Sequence, residues 1–207
     1  MSEYLTVEGL AKRWPMQSVE ISFSLAEGGT LALLGPSGCG KSSVLRMIAG
    51  LLSPDAGRIT LAGEDITRLP PARRRVGMVF QDHALFDHLT VEDNVGYGLV
   101  SQGMRRGEAR ERAAEWLERF GLGGFSKRRP LTLSGGERQR VALARTLAVS
   151  PRLVLFDEPL SALDAELRRR MQDELRAHQR SLGYTAIYVT HDVAEAEILA
   201  DSVLRMA

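Results

Sequence analysis

Eight residues, Gly35-Pro36-Ser37-Gly38-Cys39-Gly40-Lys41-Ser42, constrain this chain more than any other stretch. They fit the spacing G-x-x-x-x-G-K-[ST], in which small residues let backbone N–H groups close around phosphate oxygens. Thr30-Leu31-Ala32-Leu33-Leu34 before them reads as a buried strand, and Lys41 to Ala49 after them reads as a helix stopped by Gly50. The motif requires this strand–loop–helix context. Lysine occurs only at Lys12, Lys41 and Lys127, every other basic residue being arginine. A compact ammonium on a flexible stem enters a tight loop where a planar guanidinium would not fit.

The remaining chain alternates strand and helix signals. Tyr4 to Leu10 and Val19 to Leu25 read as strands, followed by a turn at Gly28-Gly29. Pro54-Asp55-Ala56-Gly57 reads as a turn, Arg58 to Leu61 as a short strand, and Val76 to Phe80 as another that ends at Gln81. From Asp82 the character is helical: Thr90 opens a helix, and Ala109, Ala113, Trp116, Leu117 and Phe120 form one apolar stripe stopped by Gly121. A further helix runs from Glu137 to Ala148. Leu153 to Phe156 is an apolar strand, and Leu163 to Leu182 a long helix stopped by Gly183. Thr185 to Val189 is a strand and a final helix follows. Continuous apolar strands alternating with helices imply a largely parallel sheet covered on both faces. The expected organisation is a single domain, 1–207. Residues 1–81 and 152–207 form its nucleotide-binding core, and 82–151 form an inserted helical subdomain.

Composition excludes several classes. A length of 207 residues suits one domain with an insertion. A net charge of +1 provides no global basic footprint for nucleic acid. One cysteine rules out an internal disulfide framework and suits the cytosol. Met1-Ser2-Glu3-Tyr4 lacks the features of a signal peptide, and no apolar run approaches the roughly twenty residues that span a bilayer. If membranes matter, a partner is expected to provide the span.

Two acidic residues, Asp157 and Glu158, follow an apolar strand and so sit at its carboxyl end, where open α/β sheets bind ligands. One carboxylate can hold Mg²⁺ and the next can polarise an attacking water. A solvated acidic turn would look the same in isolation. Leu133-Ser134-Gly135-Gly136-Glu137-Arg138-Gln139 places a serine and two glycines at a helix start, where amides and macrodipole favour an anion. Ser134 also fits an N-cap, and both readings can hold together.

These motifs, in this order, resemble the ATP-binding cassette of ABC transporters over nearly the whole chain. The implied fold is a P-loop NTPase (RecA-like) core with a mainly parallel sheet, an N-terminal antiparallel β portion and an inserted α-helical subdomain. Gly35 to Ser42 is similar to the Walker A loop, with Ser43 where threonine is commoner. Leu153 to Glu158 resembles Walker B, with Glu158 as general base. Leu133 to Gln139 resembles the signature motif, Gln81 the Q-loop glutamine, Ser161-Ala162-Leu163-Asp164 the D-loop and His191 the switch histidine.

The resemblance implies ATP and Mg²⁺ as cofactors. ATP would be bound by Gly35, Pro36, Ser37, Gly38, Cys39, Gly40, Lys41, Ser42 and Ser43, with Trp14 stacked on adenine, and by Ser134, Gly135 and Gly136 of a second cassette. Ser42, Asp157 and Gln81 would hold the metal, and Glu158, His191 and Gln81 would act in catalysis. It further implies transmembrane permease subunits, a homodimeric partner cassette, an indirect solute-binding protein, and a place on the inner face of the cell membrane. The segment Asp82 to Leu89 would receive a permease helix. The words around the motifs look like bacterial importers. Many importer cassettes continue past the point where this chain stops, Met206-Ala207, so no regulatory role is carried over.

The alternative class is a soluble ABC ATPase acting on DNA or ribosomes. Such proteins usually add a long coiled coil or a second cassette, and the interval from Gln81 to Ser134 is too short for the first. A small-molecule kinase would leave Leu133 to Gln139 without a role.

Overall fold

The computed structural model describes residues 3–161 and 163–206. Met1, Ser2, Ala162 of the expected D-loop and Ala207 lie outside the described residues. The chain forms two compact units. One runs up to Met78 and takes in Arg152–Glu158 and the stretch from Arg169 onward; the other comprises Val79–Pro151 and Pro159–Arg168.

The first unit is built on two sheets. Strands β1 (Glu3–Trp14), β2 (Gln17–Ala26), β4 (Ala56–Leu61) and β5 (Glu64–Asp65) pair antiparallel in the order β2-β1-β4-β5. Strands β3 (Thr30–Leu34), β6 (Val76–Val79), β7 (Leu153–Asp157), β8 (Thr185–Thr190) and β9 (Ser202–Arg205) form the second sheet in the order β6-β7-β8-β3-β9. The pairs β7/β8, β8/β3 and β3/β9 are parallel.

Period-2 alternation decides which side chains meet. Leu31, Leu33, Leu153, Leu155, Ile187 and Val189 join Leu5, Leu10, Ile21, Ile59 and Leu61 of the antiparallel sheet in one core. Helix α1 (Lys41–Ala49) contributes Val44, Leu45, Met47 and Ile48 to the same core. Ala32 and Leu34 of β3 pack instead on Ala196 and Ala200, from and beside α6 (Val193–Leu199). Every residue of β3, β7 and β8 is buried, which accounts for their unbroken apolar runs.

The helix after the phosphate loop has the expected limits because both ends are set locally. Gly40 (φ 102°) precedes it and Gly50 (φ 79°) stops it, its N–H donating to Arg46 O and Met47 O. A buried arginine closes the same end: Arg74 donates from Nη1 to Met47 O (2.7 Å) and Ile48 O (3.0 Å), from Nη2 to Thr67 O (2.8 Å) and from Nε to Leu69 O (2.7 Å). A Cβ on Gly50 would lie 2.4 Å from Arg74 Nε, so this glycine serves both backbone conformation and room.

Other boundaries moved. β1 continues past Leu10 to Trp14, because Ala11 to Trp14 pair with Glu20 to Gln17 of β2. Ala56 and Gly57 belong to β4 and not to a turn; a Cβ on Gly57 (φ 93°) would meet Gly9 O at 2.4 Å, where β1 bulges. β6 ends at Val79, one residue short of Phe80, and α5 (Ala165–Leu182) begins two residues after Leu163.

The second unit holds α2 (Val91–Ser101), α3 (Arg106–Arg119) and α4 (Gly135–Ala148), which pack on one another. Thr90 caps α2 by accepting from Asp93 N. Ala109, Ala113, Leu117 and Phe120 are buried as the stripe predicts. Trp116 is only half-buried, with Arg119 5.0 Å above its ring.

Candidate functional site

In the first unit, buried β3 delivers the phosphate loop to the start of α1. Gly38 (φ 86°) and Gly40 (φ 102°) occupy the left-handed region that side chains disfavour. At Gly35 a Cβ would lie 2.4 Å from Met206 O and 2.9 Å from Cys39 Sγ, so the loop approaches neighbouring atoms too closely for any side chain there. Pro36 and Ser37 are exposed, and Ser42 and Ser43 are half-buried in the first turn of α1. Lys41 is 4% exposed. Its Nζ donates to Gly35 O and Pro36 O, each at 2.8 Å, so the ammonium is folded back against the loop.

The same end of the sheet gathers the acidic residues. Ser42 Oγ donates to Asp157 Oδ1 at 2.6 Å, joining the helix start to the buried end of β7. Glu158 follows with φ 48°, a left-handed conformation that costs a non-glycine residue about 1–3 kcal/mol. Its N–H donates to Val189 O at 3.1 Å, which holds the strained residue against β8. Its Oε2 lies 3.4 Å from Nδ1 of His191, which is 55% exposed just beyond β8. Asp192 then caps α6, accepting from Ala194 N and Glu195 N.

The loop chemistry fits a polyphosphate. A buried ammonium beside glycines that are left-handed at 38 and 40 and without room for a side chain at 35 suits an anion cradle. The hydroxyl–carboxylate pair of Ser42 and Asp157 supplies hard oxygen donors suited to Mg²⁺. Among the described residues no group of three or more His, Cys, Asp or Glu could hold a metal by itself.

Residues 19–161 match the family described as ABC transporter. The chain belongs to that family. It is 54% identical, over 90% of its length, to an Fe(3+) ions import ATP-binding protein, FbpC 1, of Rhizobium meliloti, of which it covers 53%. It is 52% identical, over 98% of its length, to the FbpC of Brucella abortus, of which it covers 58%. A sulfate/thiosulfate import ATP-binding protein of Chromobacterium violaceum, CysA 2, is 51% identical over 100% of the chain, which covers 57% of that protein. The chain thus spans little more than half the length of these relatives.

One contact of this ABC cassette had no signal in the sequence. Gln17 Nε2 donates to Gly38 O and fastens the phosphate loop to the β1–β2 hairpin. Gln17 pairs with Trp14, which is 36% exposed at the end of β1. Register brings Gln17 to the loop, and no local pattern reports register.

The second unit carries the signature residues. Ser134 caps α4 in a reciprocal capping box: its Oγ accepts from Glu137 N (3.3 Å), and Glu137 Oε2 accepts from Ser134 N (2.7 Å). Ser134 is exposed, Gly135 half-buried and Gly136 buried at the helix start. Gln81 is exposed in a turn just after β6.

His83, to which the sequence assigned nothing, is buried, and its Nδ1 has no hydrogen-bond partner among the described residues. Burial lowers its pKa from the usual 6.5; Arg138 and Arg145 act in the same direction, and Asp82 opposes them. The folded imidazole therefore stays neutral at a pH where the unfolded one takes up a proton. The stability this provides is complete above the unfolded pKa of about 6.5 and is lost as pH falls from there toward the folded value. Thermal melts of the parent from about pH 8 to about pH 5.5 should show this decline, and His83→Gln should flatten it. Parallel pH profiles for the two proteins would contradict the assignment.

Proposed function

We propose that this chain is the ATP-hydrolysing subunit that powers import of a solute through a separate permease. ATP would be sandwiched between the phosphate loop of one cassette and the signature residues Ser134, Gly135 and Gly136 of a second copy. The observation that carries the reading is the cluster in the first unit: a buried Lys41 on the loop, Ser42 bonded to Asp157, and Glu158 beside His191. The relatives' names support the direction, since all three describe import ATP-binding proteins. They differ in cargo, which suits cargo choice by the permease.

The residues have separable tasks. The loop amides of residues 38–43 hold the β-phosphate, and Lys41 turns from the loop carbonyls to the β- and γ-phosphates. Ser42 and Asp157 would hold Mg²⁺, which when bound neutralises charge on the phosphates, and Gln81 would serve in catalysis. Glu158 takes a proton from the attacking water, and His191 donates to the γ-phosphate while steering the carboxylate. Trp14 offers its exposed ring to the adenine.

The permease would contact the helical unit. Between α2 and α3 lies a cavity of about 450 Å³ lined by His88, Leu89, Tyr97, Val100, Arg106 and Arg110 among others. Tyr97 (51% exposed) and Val100 (37%) give it an accessible apolar rim. Among the described residues no helix is long and apolar enough to cross a membrane; a place on the inner face of the membrane belongs to the same proposal.

A mixing experiment tests the composite site. Ser134→Arg puts bulk where the other copy's γ-phosphate must lie, and Lys41→Ala disables the loop. Each variant alone should lose nearly all ATP turnover. Their equimolar mixture should recover a substantial part, because one of the two sites in a mixed dimer is intact. A mixture as inactive as its components, with both variants folded, would count against the sandwich.

A further inference from the structure

Arg145 sits in α4 among Val141, Ala142, Leu143, Ala144, Thr146 and Leu147, all buried. A cation there breaks an otherwise uncharged, buried run. Its guanidinium reaches the segment that follows Gln81: Nη1 donates to Ala84 O at 2.7 Å and Nη2 to His83 O at 2.9 Å. Its Cζ also lies 5.4 Å from the centroid of the Phe86 ring. The two carbonyls belong to consecutive left-handed residues, His83 (φ 62°) and Ala84 (φ 45°). Such a pair persists only while its surroundings over-determine it. A planar fork with two fixed N–H directions suits two adjacent carbonyls, whereas a lysine would hold them one at a time.

Contacts on either side complete the fixture. His83 N donates to Phe80 O at 2.9 Å, closing a turn with Gln81 and Asp82 at its tip. On the far side the fully buried Asn94 of α2 accepts from Phe86 N at 2.8 Å and donates to Phe86 O at 3.1 Å. The path of residues 80–86 is therefore dictated by α2 and α4.

We infer that Arg145 is a positioning residue for Gln81, holding the turn that presents this glutamine in register with the signature helix. The inference rests on the role proposed above for Gln81 and adds the means by which that residue is aimed. Because α4 begins at Gly135, the helix that displays the signature amides also carries the clamp. A displacement of that helix would reach the Gln81 turn through two hydrogen bonds.

The test is a double-mutant cycle on ATP turnover with the parent, Gln81→Ala, Arg145→Met and the double variant. Arg145→Met should lower kcat about ten-fold or more while the KM for ATP stays within about two-fold. The double variant should be no slower than Gln81→Ala alone, since a residue that acts only through Gln81 has nothing further to lose. Arg145→Met at the parent rate, a raised KM with intact kcat, or losses that multiply in the double variant would each overturn the inference. If Arg145→Met melts early, Arg145→Lys keeps stem and charge and faces the same criterion: its reduced kcat must vanish as an effect in the Gln81→Ala background. A parent without ATPase activity would sink the proposed function itself. A Gln81→Ala variant as fast as an active parent would sink only the inference about Arg145.

Discussion

Glu158→Gln is expected to abolish ATP turnover while leaving ATP binding in place, and to trap a dimer that forms only with ATP. The side chain stands at the end of β7 with its backbone in the left-handed region, and its N–H is tied to Val189 O. Glutamine matches its volume and conformation, so the strain already borne by the fold is unchanged and the loop should keep its shape. What disappears is the proton acceptor. Removing a positioned general base lowers rates by about 10²- to 10⁴-fold. Phosphate release and size-exclusion chromatography with and without ATP measure the two halves of the expectation. A variant that hydrolyses at the parent rate, or stays monomeric with ATP, would overturn the assignment of Glu158.

Lys41→Arg should weaken ATP binding, turnover or both, even though the charge is kept. Lys41 Nζ is buried and contacts two loop carbonyls that lie five and six residues earlier in the chain. A guanidinium is wider, planar and longer, and it cannot place one compact charge against Gly35 O and Pro36 O without opening the loop. Losing one charged hydrogen bond to phosphate costs about 1.5–3 kcal/mol. That corresponds to roughly ten-fold to more than a hundred-fold weaker binding. Calorimetric titration with ATP, followed by steady-state turnover, measures both effects. Near-parent values in Lys41→Arg would show that charge alone suffices.

Much of the site was legible because its chemistry is packed into short contiguous words. Glycines at 38 and 40, the lysine at 41 and the hydroxyl at 42 carry their meaning in their spacing, and the flanking apolar run places them at a strand end. The limits of α1 agreed with expectation for the same reason, since Gly40 and Gly50 set them through their own backbone conformations. Ser134 agreed with expectation in its reading as a cap, since its hydroxyl and Glu137 satisfy each other's backbone donors; its contact with a phosphate belongs to the proposal.

Elements that depend on distant partners were harder to read. The last third of β1 has charged and bulky residues, Lys12, Arg13 and Trp14, without clean alternation. It is a strand because β2 supplies partners as far as Gln17, and Lys12 is fixed by Asp55 at 2.7 Å. Gly57 looked like punctuation and proved to be a point of close approach between β4 and β1.

By itself, then, the sequence determined the class of fold, the phosphate loop, the acidic pair at the end of β7 and the capped glycine helix start. Each is a local arrangement whose backbone conformation and donors are supplied by residues adjacent in the chain. Only the tertiary structure decided that Ser42 meets Asp157 at 2.6 Å, that Glu158 faces His191, and that Gln17 holds Gly38. It alone showed Arg74 closing α1 and Arg145 gripping the turn after Gln81. Those contacts join residues from 21 to 115 positions apart. Their geometry follows from strand register and from which face of a helix is buried, and both are settled by packing of the whole core.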